Sequence, residues 1–258
     1  MNRIHHLFRH KTENILSVYF TAGYPKLEST EQILIQLEKS GVDLVEIGIP
    51  FSDPVADGPV IQESSQVALE NGITLSLIFE QLKGIRNKVK IPLILMGYVN
   101  PILQYGIENF CNKAGEIGID GVIIPDLPFN LYEKKYKKLF EKNNLLNINL
   151  ITPRTSSDRL KEIDKVSSGF MYMVSSSSTT GTKHAESSVL NGFAAKIEEL
   201  GLKTPRLIGF GISDKKTFDN ACKFSSGAII GTAFIKAISE SQNMNESICN
   251  FIKQIREQ

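Results

Sequence analysis

The sequence predicts a TIM-type (β/α)8 barrel, one domain over residues 1–258, with an extra N-terminal helix and an extra helix after the second strand. Three observations predict it. Eight short apolar runs recur along the chain, each followed by a segment with helical periodicity, which is the strand–helix count of such a barrel. Most of the runs are apolar throughout instead of alternating, as parallel strands covered on both faces are. A length of 258 residues suits one large α/β domain, and no Pro/Ser-rich linker or composition shift divides it. An open doubly wound sheet is the fold alternative. It wants a glycine fingerprint after the first strand, and "FTAGYP" offers only Gly23 there.

The elements follow in order. "MNRIHHLFRHK" reads as an amphipathic first helix with Ile4, Leu7 and Phe8 turned inward. The strand segments are Leu16–Thr21, Leu44–Gly48, Ile91–Met96, Gly121–Pro125, Asn147–Ile151, Phe170–Val174, Arg206–Phe210 and Gly227–Gly231. Between the first two, "EQILIQLEKSG" puts Ile33, Leu34 and Leu37 on one helical face and stops at Gly41. After the second strand, "VIQESSQVALENG" and "LSLIFEQLKGIRNK" form two helices where one would suffice. "LYEKKYKKLFEKNN" turns Leu131, Tyr136, Leu139 and Phe140 inward with lysines outside, and "VLNGFAAKIEELG" ends at Gly201. "SSSSTTG" is a short low-complexity loop after the sixth strand.

The composition is 41% hydrophobic and 22% charged, with a net charge of +1. That balance argues against nucleic acid or an anionic membrane as the main partner. "IPLILMGYV" is too short to cross a bilayer, and the N-terminus lacks the apolar core of a secretory signal. Three separated cysteines without a CxxC fit structural thiols in a reducing compartment. "HHLFRH" has no carboxylate or thiol beside it to complete a metal site, so no metal is expected.

Chemistry should sit at the C-terminal ends of the strands. Glu46 is an acid inside the apolar strand "LVEIG", where burial is costly unless the group is partnered or functional. Asp53 and Asp57 follow in a segment stiffened by Pro50, Pro54 and Pro59. "SDP" and "ADGP" are ordinary turn formers, yet one acid on a strand and another held rigidly beyond it make a preset pair for general acid–base work. Gly181, Gly211, Gly231 and Thr232 lie in turns after the last three strands, where exposed backbone N–H groups and a helix N-terminus suit a phosphate.

"LVEIGIPFSDPVADGPVIQ" closely resembles the signature of the tryptophan synthase alpha subunit family. "FTAGYP", "LMGYVNPI", "IIPDLP", "GFGIS" and the terminal "GT" turn extend the resemblance over the whole chain, in the family's order. It implies a lyase that cleaves indole-3-glycerol phosphate by a retro-aldol reaction into indole and glyceraldehyde 3-phosphate. It implies a beta subunit that receives the indole, in an alpha2-beta2 heterotetramer, with pyridoxal phosphate only in that partner and no cofactor in this chain. By the same match Glu46 is the general acid/base and Asp57 accepts the indole N–H. Tyr172 lies beside the acids, and Thr180 sits in a loop that closes over them. Gly181, Gly211, Gly231 and Thr232 line the phosphate, while Tyr19, Thr21, Ile151 and Phe210 line the indole pocket. Ser178 stands where the family usually carries a glycine, which bears on loop closure. Lys/Asn/Ile-rich usage hints at an AT-rich genome, hence a bacterial cytoplasm or a plastid stroma. The competing readings are another phospho-sugar barrel enzyme, a non-catalytic homologue serving as allosteric partner of beta, and a stand-alone indole-releasing lyase.

Overall fold

A computed structural model describes residues 1–174, 183–209, 211–239 and 241–257, with the backbone alone described at 183–190. Among these residues nine parallel strands form one sheet: β1 (Ile15–Thr21), β2 (Leu44–Gly48), β3 (Leu93–Met96), β4 (Gly121–Ile123), β5 (Leu146–Asn147), β6 (Asn149–Ile151), β7 (Met171–Val174), β8 (Arg206–Gly209) and β9 (Gly227–Ile230). The order is β5-β4-β3-β2-β1-β9-β8-β7-β6. β5 pairs with β4 and β6 pairs with β7, and only Ile148 separates them. They are two halves of the fifth expected strand, so one extended segment joins both edges of the sheet and leaves neither open. The third strand starts at Leu93, two residues later than expected, because Pro92 has no N–H to give the ladder.

The helices lie outside. Two of them, Pro59–Glu70 and Leu75–Gln81, follow β2 as expected. The segment after β4 differs from its sequence reading. A π-helical turn at Tyr132–Tyr136 shifts the helical phase, so Tyr132 is buried while Leu131 and Tyr136 are only partly so.

The sheet divides the apolar residues into two sets. The larger packs between strands and helices, and the smaller fills the barrel interior, with Ile15, Leu44, Ile94, Ile123, Phe170, Leu207 and Ile229. The first helix, Arg3–His10, closes the N-terminal end of the barrel by inserting Ile4 into that inner set. Asn2 caps it, accepting from the Ile4 N–H at 2.9 Å and donating to the Asp120 carbonyl at 2.8 Å. Asp120 is buried and holds the Leu93 N–H at 3.0 Å, Arg3 Nη1 at 3.1 Å, and Arg86. With one end plugged, a substrate would enter from the other, where the C-terminal strand ends meet.

Candidate active site

Pleat alternation decides what reaches this end. On β1, Ser17, Tyr19 and Thr21 share one face, and their register partners on β2 are Leu44, Glu46 and Gly48. Leu44 belongs to the barrel interior, so Glu46 does too. Tyr172 on β7 also belongs to the inner set.

Two glycines make room for the tyrosine rings. A Cβ on Gly48 would lie 2.2 Å from the Tyr19 hydroxyl, and a Cβ on Gly209 would lie 2.2 Å from that of Tyr172. Each ring therefore lies across the neighbouring strand at a point where only hydrogen occupies the Cα substituent.

A cavity of about 130 Å³ opens here. Tyr19, Asp57, Tyr172, Gly211, Gly231 and Thr232 line it, together with Gly58, Ile61, Met96, Ile212 and Ile229. One side is thus apolar and aromatic, fit for a flat ring. The other is a pair of turns. Gly211 adopts φ +74°, a left-handed conformation that favours glycine, and Thr232 opens the eight-residue helix Thr232–Ser239. No Lys or Arg lines the cavity among the described residues, so an anion there would rest on backbone N–H groups and the helix terminus.

Glu46 lies beneath the cavity and is wholly buried. Ser17 Oγ donates to its Oε1 at 3.0 Å, and Oε2 is buried without a hydrogen-bond partner among the described residues. Burial pushes the Glu46 carboxyl up to about 8, against the bond from Ser17, which lowers it. Such a group exchanges a proton near neutral pH. Asp57 is also raised by burial, with the Tyr98 hydroxyl opposing the shift. The two acids differ in surroundings as they should for different roles. Burial holds Tyr19 and Tyr172 well above the usual phenol range, with the nearby carboxylates adding to the shift, so both stay neutral.

Two residues expected in the pocket do not line the cavity. Ile151 packs in the layer between strands and helices, because Leu150 takes the inward face of β6 opposite Tyr172. Thr21 is buried and shares a hydrogen bond with Ser64 Oγ at 2.7 Å, and it does not line the cavity. Asp53 sits in the exposed part of the loop, bonded to Ser52. Thr180, Gly181 and Phe210, and with them Ser178, lie outside the described residues. Sequence reading assigned no role to Ser17, Tyr98 or Met96. Tyr98 and Met96 stood inside the quoted "LMGYVNPI", whereas Ser17 carried no signal apart from being polar in an apolar strand.

Among the described residues no group of three or more His, Cys, Asp or Glu side chains could hold a metal ion, and no helix is long and apolar enough to cross a membrane.

Comparison with known proteins points in one direction. Residues 6–257 match the family described as tryptophan synthase alpha chain. The tryptophan synthase alpha chain of Flavobacterium psychrophilum is 56% identical over 255 residues, covering 99% of this chain and 100% of the relative. That of Bacteroides fragilis is 52% identical over 248 residues, covering 96% and 94%. Among solved structures, the tryptophan synthase alpha chain of Legionella pneumophila superimposes with a TM-score of 0.87 at 32% identity, covering 99% of this chain and 96% of that one. The tryptophan synthase A-subunit of Pyrococcus furiosus does so with a TM-score of 0.84 at 31% identity, covering 95% and 98%.

Proposed function

Because this chain belongs to the tryptophan synthase alpha chain family, it is a lyase that cleaves indole-3-glycerol phosphate in tryptophan synthesis, and we propose that Glu46 and Asp57 carry the cleavage. The reaction adds a proton at indole C3 and removes one from the side-chain hydroxyl next to the bond that breaks. The electron pair of that bond returns to the ring as indole leaves, and the hydroxyl carbon becomes the aldehyde of glyceraldehyde 3-phosphate.

Glu46 moves the protons, and the observation that carries this is its wholly buried carboxyl with one oxygen unpartnered among the described residues. A raised affinity for the proton lets one group act first as acid and then as base near neutral pH. Asp57, on the cavity wall, accepts the indole N–H and steadies the positive charge that grows on the ring when C3 is protonated. Tyr19, Ile61 and Met96 flank the ring, and Tyr172 stands beside the acids. The phosphate rests on backbone N–H groups around Gly211, Gly231 and Thr232.

The indole passes to a beta subunit, in an alpha2-beta2 assembly, within the cytoplasm. This chain contributes no cofactor of its own, and pyridoxal phosphate belongs to the partner. The test is indole release from indole-3-glycerol phosphate by the purified chain, with and without beta. Glu46→Gln is expected to lower it by about 10²–10⁴-fold, the range that general acid–base groups supply. Near wild-type turnover in Glu46→Gln removes Glu46 from the mechanism.

A further inference from the structure

We infer that Ser17 is a positioning residue for Glu46, one that binds a single carboxyl oxygen from below and leaves the other oxygen for the substrate. The inference rests on the reading that Glu46 moves the protons.

The geometry carries it. The Cα of Glu46 is in register with that of Tyr19, whose ring lines the cavity. Ser17 is two residues earlier on the same face of β1, one step towards the plugged end. A bond from Ser17 Oγ to Glu46 Oε1 therefore draws that oxygen away from the cavity. Both side chains are wholly buried, and among the described residues Oε2 has no partner. A purely structural pairing of buried polar groups should satisfy both oxygens, since buried acceptors almost always find donors. Here one oxygen is held and the other is not. That asymmetry is what a proton-transfer group needs: its rotamer fixed by one bond, its second oxygen uncommitted.

The other titratable groups that face Glu46 cannot take this part. Tyr19 from β1 and Tyr172 from β7 stay neutral beside its charge and give it no hydrogen bond among the described residues, and Asp57 comes from the loop beyond β2 and bonds Tyr98. Among the described residues Ser17 is the hydroxyl that bonds the carboxyl. It also favours the charged form of Glu46, because a hydroxyl donates more strongly to a carboxylate than to a carboxylic acid.

The consequence is a shift in the pH profile. Protonation of indole C3 requires Glu46 in its acid form, so kcat/KM falls as pH rises through the Glu46 pKa. Ser17→Ala removes the donor, makes the carboxylate less favourable and moves this alkaline limb upward, by about one pH unit. Ser17 does not line the cavity, so KM for indole-3-glycerol phosphate at pH 7 stays within about twofold of wild type. Ser17→Cys keeps the volume with a much weaker donor and shifts the limb the same way.

The experiment is the pH dependence of kcat/KM from pH 6 to 10, with beta present, for wild type, Ser17→Ala, Ser17→Cys and Glu46→Gln. An upward shift in both Ser17 variants, with KM held and no such limb in Glu46→Gln, supports the inference. An unmoved limb in the Ser17 variants overturns it, while loss of the limb in Glu46→Gln still upholds Glu46 as the proton carrier. A limb and rate intact in Glu46→Gln overturn the reading of Glu46 itself, and the inference with it.

Discussion

Tyr98 holds Asp57 from one side and the loop that carries it from the other. Its hydroxyl donates to Asp57 Oδ2 at 3.1 Å and accepts the Ala56 backbone N–H at 2.9 Å. One phenol thus fixes both the carboxylate and the peptide before it. Its ring is braced by Phe51, with centroids 5.3 Å apart. Burial pushes the Tyr98 phenol up to about 12, against the bond from the Ala56 N–H and with Asp57 and Asp126 adding to the shift, so at neutral pH it is a donor.

Tyr98→Phe keeps the ring contact and removes both bonds. A hydrogen bond to a charged group is worth about 1.5–3 kcal/mol, so kcat/KM should fall by roughly ten- to a hundredfold with the fold intact. Steady-state kinetics beside circular dichroism checks this. Unchanged kcat/KM would mean that Asp57 keeps its place without Tyr98.

Gly48 and Tyr19 form a second coupled pair. A Cβ on Gly48 would meet the Tyr19 hydroxyl at 2.2 Å and Cζ at 2.6 Å, so Gly48→Ala forces the ring to move. The ring lines the cavity, and its Cδ1 and Cβ are in ordinary contact with the Cβ position of Gly231. Movement therefore disturbs the pocket and the phosphate turn together. Gly48→Ala should lower kcat/KM at least about tenfold, a modest misplacement effect. Adding Tyr19→Leu, which removes the hydroxyl and the ring's far edge, should recover part of it. A double-mutant cycle in which the two losses merely add would show that the residues are uncoupled.

Gly211 tests the phosphate side. Its φ of +74° strains any residue with a Cβ, and it lines a cavity with no Lys or Arg among the described residues. Gly211→Val should raise KM for indole-3-glycerol phosphate by about tenfold or more while leaving the slow cleavage of bare indole-glycerol nearly unchanged. An equal loss on both substrates would point to a folding defect or to another phosphate site.

What the sequence disclosed, and what it hid, follows from the physics of the strands. Their existence was legible because strands buried on both faces are continuous apolar runs. Glu46 was legible as an acid inside an apolar strand, whereas Asp57 sits in an ordinary turn former and drew notice only beside Glu46. Facing was harder. Leu150 and Ile151 are both apolar, and a slip of one residue reverses a strand's faces, so the apolar run could not say that Leu150 points inward and Ile151 outward. The break at Ile148 was hidden for a similar reason, since it depends on two different neighbouring strands. Ser17 and Glu46 are 29 residues apart, and only the register of β1 against β2 brings them together. Tyr98 likewise meets Asp57 only through the fold.

The last prediction concerns stability, and its sign follows from Glu46 alone. The carboxyl titrates at about 8 when folded, against 4.5 in the reference state, because the folded chain strips away its water. Between these values the folded state holds a proton that the unfolded state has released. Stability then falls as pH rises from about 4.5 and levels off once Glu46 is ionised in both states, above about 8. Glu46→Gln cannot ionise. At pH 5 it gains nothing, and its buried amide, near the unpartnered Oε2 position, makes it equal to or slightly less stable than wild type. At pH 9 the wild type carries a buried charge with one oxygen unpartnered among the described residues, and Gln does not. The variant should then be more stable, on the order of a few kcal/mol, while remaining nearly inactive. Urea unfolding of both proteins at pH 5, 7 and 9 gives the difference directly. A variant-minus-wild-type stability that stays constant across this range would show that Glu46 is not held protonated by burial, and would leave its proton-transfer role without its electrostatic basis.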